Sequence, residues 1–205
     1  MALTYKHTRY ACYAGYIVQA IIVNFLPLLF AMFSTNFGIS VAKLGLLASV
    51  NFAIQLIVDL LGAKIAVKLG YRIIMVVANI LAAAGLICLA FLPFVFSDPY
   101  IGLLISVIIY GIGGGLTEVL VSPMIEALPT DGKASSMSML HSFYSWGQAG
   151  VILISALFFV TAGIDNWQIL SVAWAIIPIL TAVLFLFVPI RMLETDGKAV
   201  PIKKI

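Results

Sequence analysis

The sequence predicts an all-α membrane protein of six transmembrane helices with both chain termini in the cytoplasm. Six apolar stretches each approach the roughly 20 residues that a helix needs to cross a bilayer. Hydrophobic residues make up 63% of the 205 residues and charged residues only 9%, whereas soluble domains contain about half and about a quarter. If the six stretches cross the membrane in turn, the Lys and Arg residues fall almost entirely on one side of it. The composition therefore excludes a soluble globular domain.

The six predicted spans are separated by short polar joints. Their approximate limits are Tyr10–Phe33, Val41–Ala63, Ile73–Phe96, Tyr100–Leu128, Met137–Ala162 and Trp167–Ile190. We expect every span to be helical, because hydrocarbon does not tolerate unpaired backbone polar groups. The first span is longer than the core of a signal peptide and no small-residue cleavage site follows it, so we expect it to remain in the protein.

The basic residues predict the orientation of the helices. With the N-terminus inside, only Lys43 of the 11 basic residues lies outside, as the positive-inside rule requires. The others are Lys6, Arg9, Lys64, Lys68, Arg72, Lys133, Arg191, Lys198, Lys203 and Lys204. They form no continuous face, so we expect a lipid bilayer and no nucleic acid as partner.

Prolines, a tryptophan and the cysteines indicate local features of the spans. Neighbouring helices can compensate the backbone bonds that prolines remove, and we expect kinks at Pro27, Pro93, Pro123 and Pro178. Trp167 opens the sixth span, where an aromatic ring can anchor at the headgroup level. Cys12 and Cys88 lie in apolar segments without paired spacing. We therefore expect them to be packing residues, and we expect no metal site and no cofactor.

The fourth span contains the most central acidic residue. Gly111, Gly115, Glu118 and Ser122 recur at helical spacing, which gives one face that is both small and polar. An ionised acid inside the bilayer costs roughly 2.5–3.5 kcal/mol on insertion scales, so Glu118 should face protein or a wet cavity. It has either a transport role or a protonated side chain bonded to a neighbouring helix. The glycine run lacks the Gly-Lys-Ser/Thr of a phosphate loop, and we assign it to close helix packing.

Three further spans present polar lines. On the fifth, His141, Tyr144 and Gln148 share one stripe, although an interhelical hydrogen bond explains His141 equally well. The first span offers Tyr16, Gln19 and Asn24 as candidate solute contacts. On the second, Asn51, Gln55 and Asp59 recur every four residues. This line either borders a cavity or holds helices together, and for Asp59 we favour the second role, with a cytoplasmic Lys or Arg as partner.

The joint between the second and third spans resembles the signature of the major facilitator superfamily, Gly-x-x-x-Asp-(Arg/Lys)-x-Gly-x-(Arg/Lys). Lys68, Gly70 and Arg72 match it, while Ala63 and Val67 replace its leading Gly and its Asp. The segments from Gly115 to Pro123 and from His141 to Gly147 are similar to the fucose:proton symporter branch.

The resemblance implies roles for these residues. Glu118 would be the proton-coupling residue, and Asp59, Lys68, Gly70 and Arg72 would form a gating loop. The acid that this branch has on the first helix is replaced by Asn24. The solute contacts would be Tyr16, Gln19, Asn24, His141, Tyr144 and Gln148, and the solute a sugar.

The resemblance covers the N-terminal six helices of a family that normally has twelve. Residues 1–190 would then form one half of a major facilitator fold, with two inverted repeats of three helices, in the cell membrane. Residues 191–205 would form a cytoplasmic tail or a truncated central linker. Activity would require a C-terminal half or a second copy of the chain.

Two other classes of function remain open from the sequence. A non-transporting membrane fragment is one of them. The other is an intramembrane enzyme that would use Glu118 and His141 as acid and base. It is disfavoured because the chain lacks a Ser or Cys nucleophile motif, a cluster of metal ligands and a cofactor loop.

Overall fold

The described part of the chain contains six membrane-length helical spans, as predicted. The computed structural model describes residues 3–129 and 132–191, and in these ranges the regular structure is helical, without strands. The α-helices are α1 (Tyr5–Leu28), α2 (Phe30–Asn36), α3 (Val41–Leu69), α4 (Tyr71–Phe91), α5 (Pro99–Glu126), α6 (Lys133–Ala162) and α7 (Trp167–Phe187). Helix α1 forms the first span, the short α2 follows it, and each remaining α-helix lies in one span. Most of the predicted tail at 191–205 lies outside the described residues.

The first predicted span is divided close to its proline. Pro27 lies inside the last turn of α1, and Leu29, two residues later, separates α1 from α2. The Leu29 N–H bonds to Leu26 O, three residues back, at 3.0 Å. Proline removes a helical hydrogen bond and crowds the preceding turn, and the helix is interrupted beside Pro27, one of the positions at which we predict a kink. A 3-10 turn at Leu92–Phe94 likewise contains Pro93.

The joint between the second and third spans contains one residue instead of the expected loop. Helix α3 extends six residues beyond the predicted Ala63 and ends at Leu69, and α4 begins at Tyr71. Gly70 joins them with φ +92°, a conformation that only glycine adopts without strain. The prediction of a gating loop is therefore wrong in its local structure, because Lys68 lies on α3 and Arg72 on α4.

The bundle has a buried centre and two exposed flanks. Helix α4 packs between α5 and α7, α3 packs against α5, and α6 packs against α1. In the most apolar 18-residue stretch of each helix, 61% of the residues of α5 are buried, compared with 22% of those of α3 and 17% of those of α6. Helices α3 and α6 therefore present apolar surface that this bundle does not cover.

The glycines of α5 allow the close packing that we predicted from the sequence. A Cβ added at Gly113 would lie 2.4 Å from Ala78 O on α4, and one at Gly111 would lie 2.9 Å from Asn51 Oδ1 on α3. One at Gly114 would lie 2.7 Å from Gln19 Oε1 on α1. Three neighbouring helices thus approach α5 where it has no side chains.

Trp167 does not lie at a lipid interface, which corrects our prediction of an anchor. Its side chain is 2% exposed and packs edge-on against Phe33 with ring centroids 5.1 Å apart. It also stacks near Phe94, at 6.3 Å. Aromatic contacts with α2 and with the turn after α4 hold the ring inside the protein. Cys12 is buried, as expected of a packing residue.

Candidate functional site

A polar cavity of about 220 Å³ opens where four helices meet. Its polar lining comes from Gln19 on α1, Gln55 and Asp59 on α3, Glu118 on α5, and Tyr144 on α6. Four of these five side chains belong to our predicted sites, and they come from distant parts of the chain. The cavity therefore joins the proposed proton-coupling residue to two of the proposed solute contacts.

A chain of hydrogen bonds runs from Glu118 through buried amides to α3. Gln19 Nε2 donates to Glu118 Oε2 at 2.8 Å and to Gln55 Oε1 at 2.8 Å. Gln55 Nε2 in turn donates to Asn51 Oδ1 at 3.0 Å. Gln19, Asn51 and Gln55 are each at most 5% exposed. A single amide nitrogen thus links α1 to both α3 and α5.

The two acids of the cavity have different surroundings. Glu118 is exposed at the open side of the cavity and accepts the hydrogen bond from Gln19. Asp59 is partly buried, and its Oδ1 has no hydrogen-bond partner among the described residues. Our expectation that a cytoplasmic Lys or Arg pairs with this oxygen is therefore wrong within the described part of the chain. Asp59 borders the cavity and does not hold helices together through Oδ1.

Aromatic side chains form the wall next to Glu118. The Tyr16 hydroxyl and Ser122 Oγ are 3.2 Å apart, within hydrogen-bond distance. The Tyr16 ring lies 5.7 Å from the His141 ring and 6.2 Å from the Tyr144 ring, centroid to centroid. The structure therefore brings Tyr16, His141 and Tyr144 together, with Tyr16 buried, Tyr144 half-buried and His141 exposed.

Asn24 and Gln148 lie at the edge of this group. Asn24 Nδ2 donates to Ala20 O on its own helix at 2.9 Å, and the Asn24 side chain is within reach of Tyr144. It lines a second cavity of about 240 Å³ together with Asn51 and the buried Tyr110. Gln148 is exposed on α6 and lines neither cavity.

Gln55 is the main site residue that our sequence assignment omitted. The sequence shows the regular spacing of Gln55 with Asn51 and Asp59. The spacing does not show that this line of α3 faces Gln19 on α1. Ser122 was likewise placed on the polar face of α5 without its contact to Tyr16. Helical periodicity places both Gln55 and Ser122 on polar helix faces. Only the fold shows that these faces meet Gln19 and Tyr16 on α1.

Arg72 has a structural contact at the basic end of the bundle. Its guanidinium donates to Phe185 O at 3.0 Å, to Val188 O at 2.8 Å, and also to Leu186 O. These carbonyls lie at the C-terminal end of α7, where backbone acceptors lack intrahelical partners. Arg72 thus binds a helix end, and Lys68 is exposed.

Comparisons with known proteins agree with the helical membrane fold described above. A family model described as Major Facilitator Superfamily matches residues 12–203. A solved structure of the proton:xylose symporter XylE bound to 6-bromo-6-deoxy-D-glucose is similar with a TM-score of 0.80 and 18% identity. The match covers 90% of this chain and 45% of that one. No curated protein matches the sequence.

Two further solved structures are similar. A D-xylose-proton symporter matches with a TM-score of 0.74 and 20% identity, over 90% of this chain and 47% of its own. The inward-open xylose transporter XylE from E. coli matches with a TM-score of 0.75 and 18% identity, over 89% of this chain and 48% of its own. The chain thus spans less than half the length of these proteins, and at such identities the likeness concerns the fold.

Proposed function

Because the chain belongs to the major facilitator superfamily, we propose that it is the N-terminal half of a proton-coupled secondary transporter for a small polar solute. The family consists of membrane transporters and not enzymes, so the intramembrane enzyme is no longer a candidate. The protein is a multi-pass membrane protein. We propose residues 1–190 as the transmembrane bundle and 191–205 as the tail or linker.

The hydrogen bond from Gln19 to Glu118 is the observation that supports proton coupling most strongly. A hydrogen bond to an ionised carboxylate contributes about 1.5–3 kcal/mol, compared with about 0.5–1.5 kcal/mol for a neutral pair. Protonation of Glu118 would therefore weaken its link to Gln19, which also holds α3 through Gln55. A change in these links can shift the balance between two arrangements of the helices.

A sugar is the solute that we propose. The open face presents the half-buried Tyr144 and the exposed ring of His141, with the buried Tyr16 ring behind them, and sugars bind through such donors, acceptors and ring faces. The solved proteins with the same fold are named as xylose symporters, which supports the same class of solute.

The bundle supplies only one wall of a transport path. Secondary transporters of this kind place the solute between two halves that rock against each other. The exposed apolar residues of α3 and α6, such as Leu60 and Leu153, each 68% exposed, need lipid or protein to cover them. We propose that a C-terminal half, or a second copy of this chain, covers part of them. The alternative is a truncated, non-transporting membrane fragment, or a subunit that requires a separate C-terminal half.

Uptake by proteoliposomes tests the proposal. The purified chain is reconstituted, its oligomeric state is determined by cross-linking, and labelled hexose or pentose uptake is measured under an imposed proton gradient. Glu118→Gln should abolish gradient-driven uptake. Glu126→Gln is the matched control, because Glu126 is an exposed acid at the end of the same helix. A dimer whose uptake is unaffected by Glu118→Gln would contradict the proposal, and a silent monomer would support the requirement for a partner.

A further inference from the structure

A third cavity lies at the basic end of the bundle, near Lys6, Arg9 and Lys133, and Glu118 is not among its lining residues. It has a volume of about 350 Å³ and lies between the N-terminal parts of α1 and α6. Arg9, Tyr10, Ser135 and Ser136 form its polar lining. The Arg9 guanidinium carbon lies 5.8 Å from the centre of the Tyr10 ring, and no described residue accepts a hydrogen bond from Arg9 Nε.

The charge around this cavity favours a negative ligand. Lys6 lies near the start of α1 and Lys133 opens α6, and both side chains are exposed. The first backbone N–H groups of α6 add positive potential near Ser135 and Ser136. An anionic group beside Arg9 would thus meet a fixed guanidinium, two hydroxyls and nearby ammonium groups.

An apolar groove continues from this cavity towards the middle of the bundle. It has a volume of about 260 Å³, and Ile17, Gly150, Ile154 and Trp174 are among its lining residues. Helices α6 and α7 form its sides and α1 its floor. The lining is almost entirely hydrocarbon and aromatic carbon, so it suits an alkyl chain and not a sugar.

Aromatic rings connect the polar cavity to the groove. Phe143 and Trp146 line both. The Tyr10 and Tyr13 ring centroids lie 6.1 Å apart, those of Tyr13 and Phe143 4.6 Å, and those of Phe143 and Trp146 5.3 Å. The two spaces therefore share one continuous wall, and Trp146 is 61% exposed at its edge.

The joined spaces are somewhat longer than one leaflet. Ser136 lines the polar cavity and Ile154 lines the groove, and they lie 18 residues apart on α6, which corresponds to about 27 Å along a helix. Half of a bilayer with its headgroup region measures roughly 20–22 Å. A ligand with an anionic head at Arg9 and an alkyl chain along α6 would therefore start in the leaflet at the basic end and reach the middle of the bilayer within the groove.

We propose that the joined cavities bind one phospholipid with an anionic headgroup from that leaflet. Its phosphate lies beside Arg9, Ser135 and Ser136, and one acyl chain lies in the groove between α6 and α7. A free phosphate would satisfy only the polar cavity, and a zwitterionic lipid such as phosphatidylcholine would place its ammonium group among the basic side chains of Lys6, Arg9 and Lys133. The site is separate from the Glu118 cavity and does not depend on the proposed transport activity.

Retention of lipid by the purified protein tests this site. The detergent-solubilised chain is incubated with equal amounts of phosphatidylglycerol and phosphatidylcholine, and bound lipids are counted by native mass spectrometry. Arg9→Gln removes the charge of the headgroup site, and Lys64→Gln is its control, an exposed basic residue at the same end on α3. Gly150→Leu fills the groove, and Gly45→Leu is its control. A Cβ at either glycine meets nothing within 4 Å, so neither change should disturb helix packing.

We expect one phosphatidylglycerol to be retained in preference to phosphatidylcholine. Arg9→Gln should weaken its binding about tenfold or more, as loss of a charge-assisted hydrogen bond predicts, and Gly150→Leu should also weaken it, while both controls bind as the parent chain does. Equal retention of the two lipids would overturn the proposal. Full displacement by inorganic phosphate together with unchanged binding in Gly150→Leu would also overturn it, and would identify a free anion as the ligand.

Discussion

Gln19 Nε2 lies 2.8 Å from Glu118 Oε2 and donates a hydrogen bond to it. The same nitrogen donates to Gln55, so the charge of one carboxylate is connected to the packing of three helices. An amide is well suited to this position, because it carries two donor hydrogens and no charge of its own.

Replacing Gln19 should affect both stability and coupling. Gln19→Leu removes both hydrogen bonds. The bond to Gln55 contributes about 0.6 kcal/mol, the average for interhelical hydrogen bonds in a membrane protein, and the bond to the Glu118 carboxylate contributes about 1.5–3 kcal/mol. We expect a loss of roughly 2–3.5 kcal/mol in the free energy of unfolding, measured by SDS titration in mixed micelles.

Asn79→Leu is the control for Gln19→Leu. Asn79 is a fully buried amide that donates only to Met75 O on its own helix, at 2.8 Å. Asn79→Leu should therefore leave gradient-driven uptake unchanged. Equal effects of the two changes on uptake would show that Gln19 acts only as a buried polar side chain.

Gly113 is one of the positions where α5 has no room for a side chain. Gly113→Ala would place a methyl group 2.4 Å from the backbone oxygen of Ala78, and a helix backbone cannot move aside without wider repacking. We expect a loss of about 1–3 kcal/mol in the free energy of unfolding. Gly45→Ala meets nothing within 4 Å and should be neutral or slightly stabilising. A similar melting temperature for both variants would argue against the close contact of α4 and α5.

Arg72 should stabilise the end of α7. Arg72→Gln removes a charged donor from Phe185 O and Val188 O, and hydrogen bonds to charged groups contribute about 1.5–3 kcal/mol. We expect a loss in this range and faster amide hydrogen exchange near Phe185. The exposed Lys68 offers the comparison: Lys68→Gln should change stability by no more than about 0.5 kcal/mol. If both variants unfold alike, Arg72 contributes only as a general positive charge at the membrane surface.

Much of the fold could be predicted because the bilayer restricts it. Span length, charge asymmetry and the need for paired backbone groups define the six helical spans. Local detail at the joints could not be predicted in the same way. Charge alone does not reveal that Gly70 joins two helices directly, or that Trp167 is covered by Phe33 and Phe94.

The site was predicted as separate polar faces, and its contacts required the fold. Helical periodicity placed Glu118 and Ser122 on one face of α5, and Asn51, Gln55 and Asp59 on one face of α3. Which face meets which depends on how the helices pack, and here the glycines of α5 decide it. The contacts of Gln19 with Gln55 and Glu118 join α1 to residues 36 and 99 positions away in the chain, beyond the range of any local pattern.

Proton coupling through Glu118 is the central claim, and comparing accumulation with exchange tests it most directly. In proteoliposomes that contain the chain with whatever partner transport requires, we would measure solute accumulation driven by a proton gradient and solute counterflow without one. Exchange of solute needs no net proton movement. The account predicts that Glu118→Gln loses accumulation and retains counterflow, while Glu126→Gln retains both. Undiminished accumulation in Glu118→Gln would contradict it.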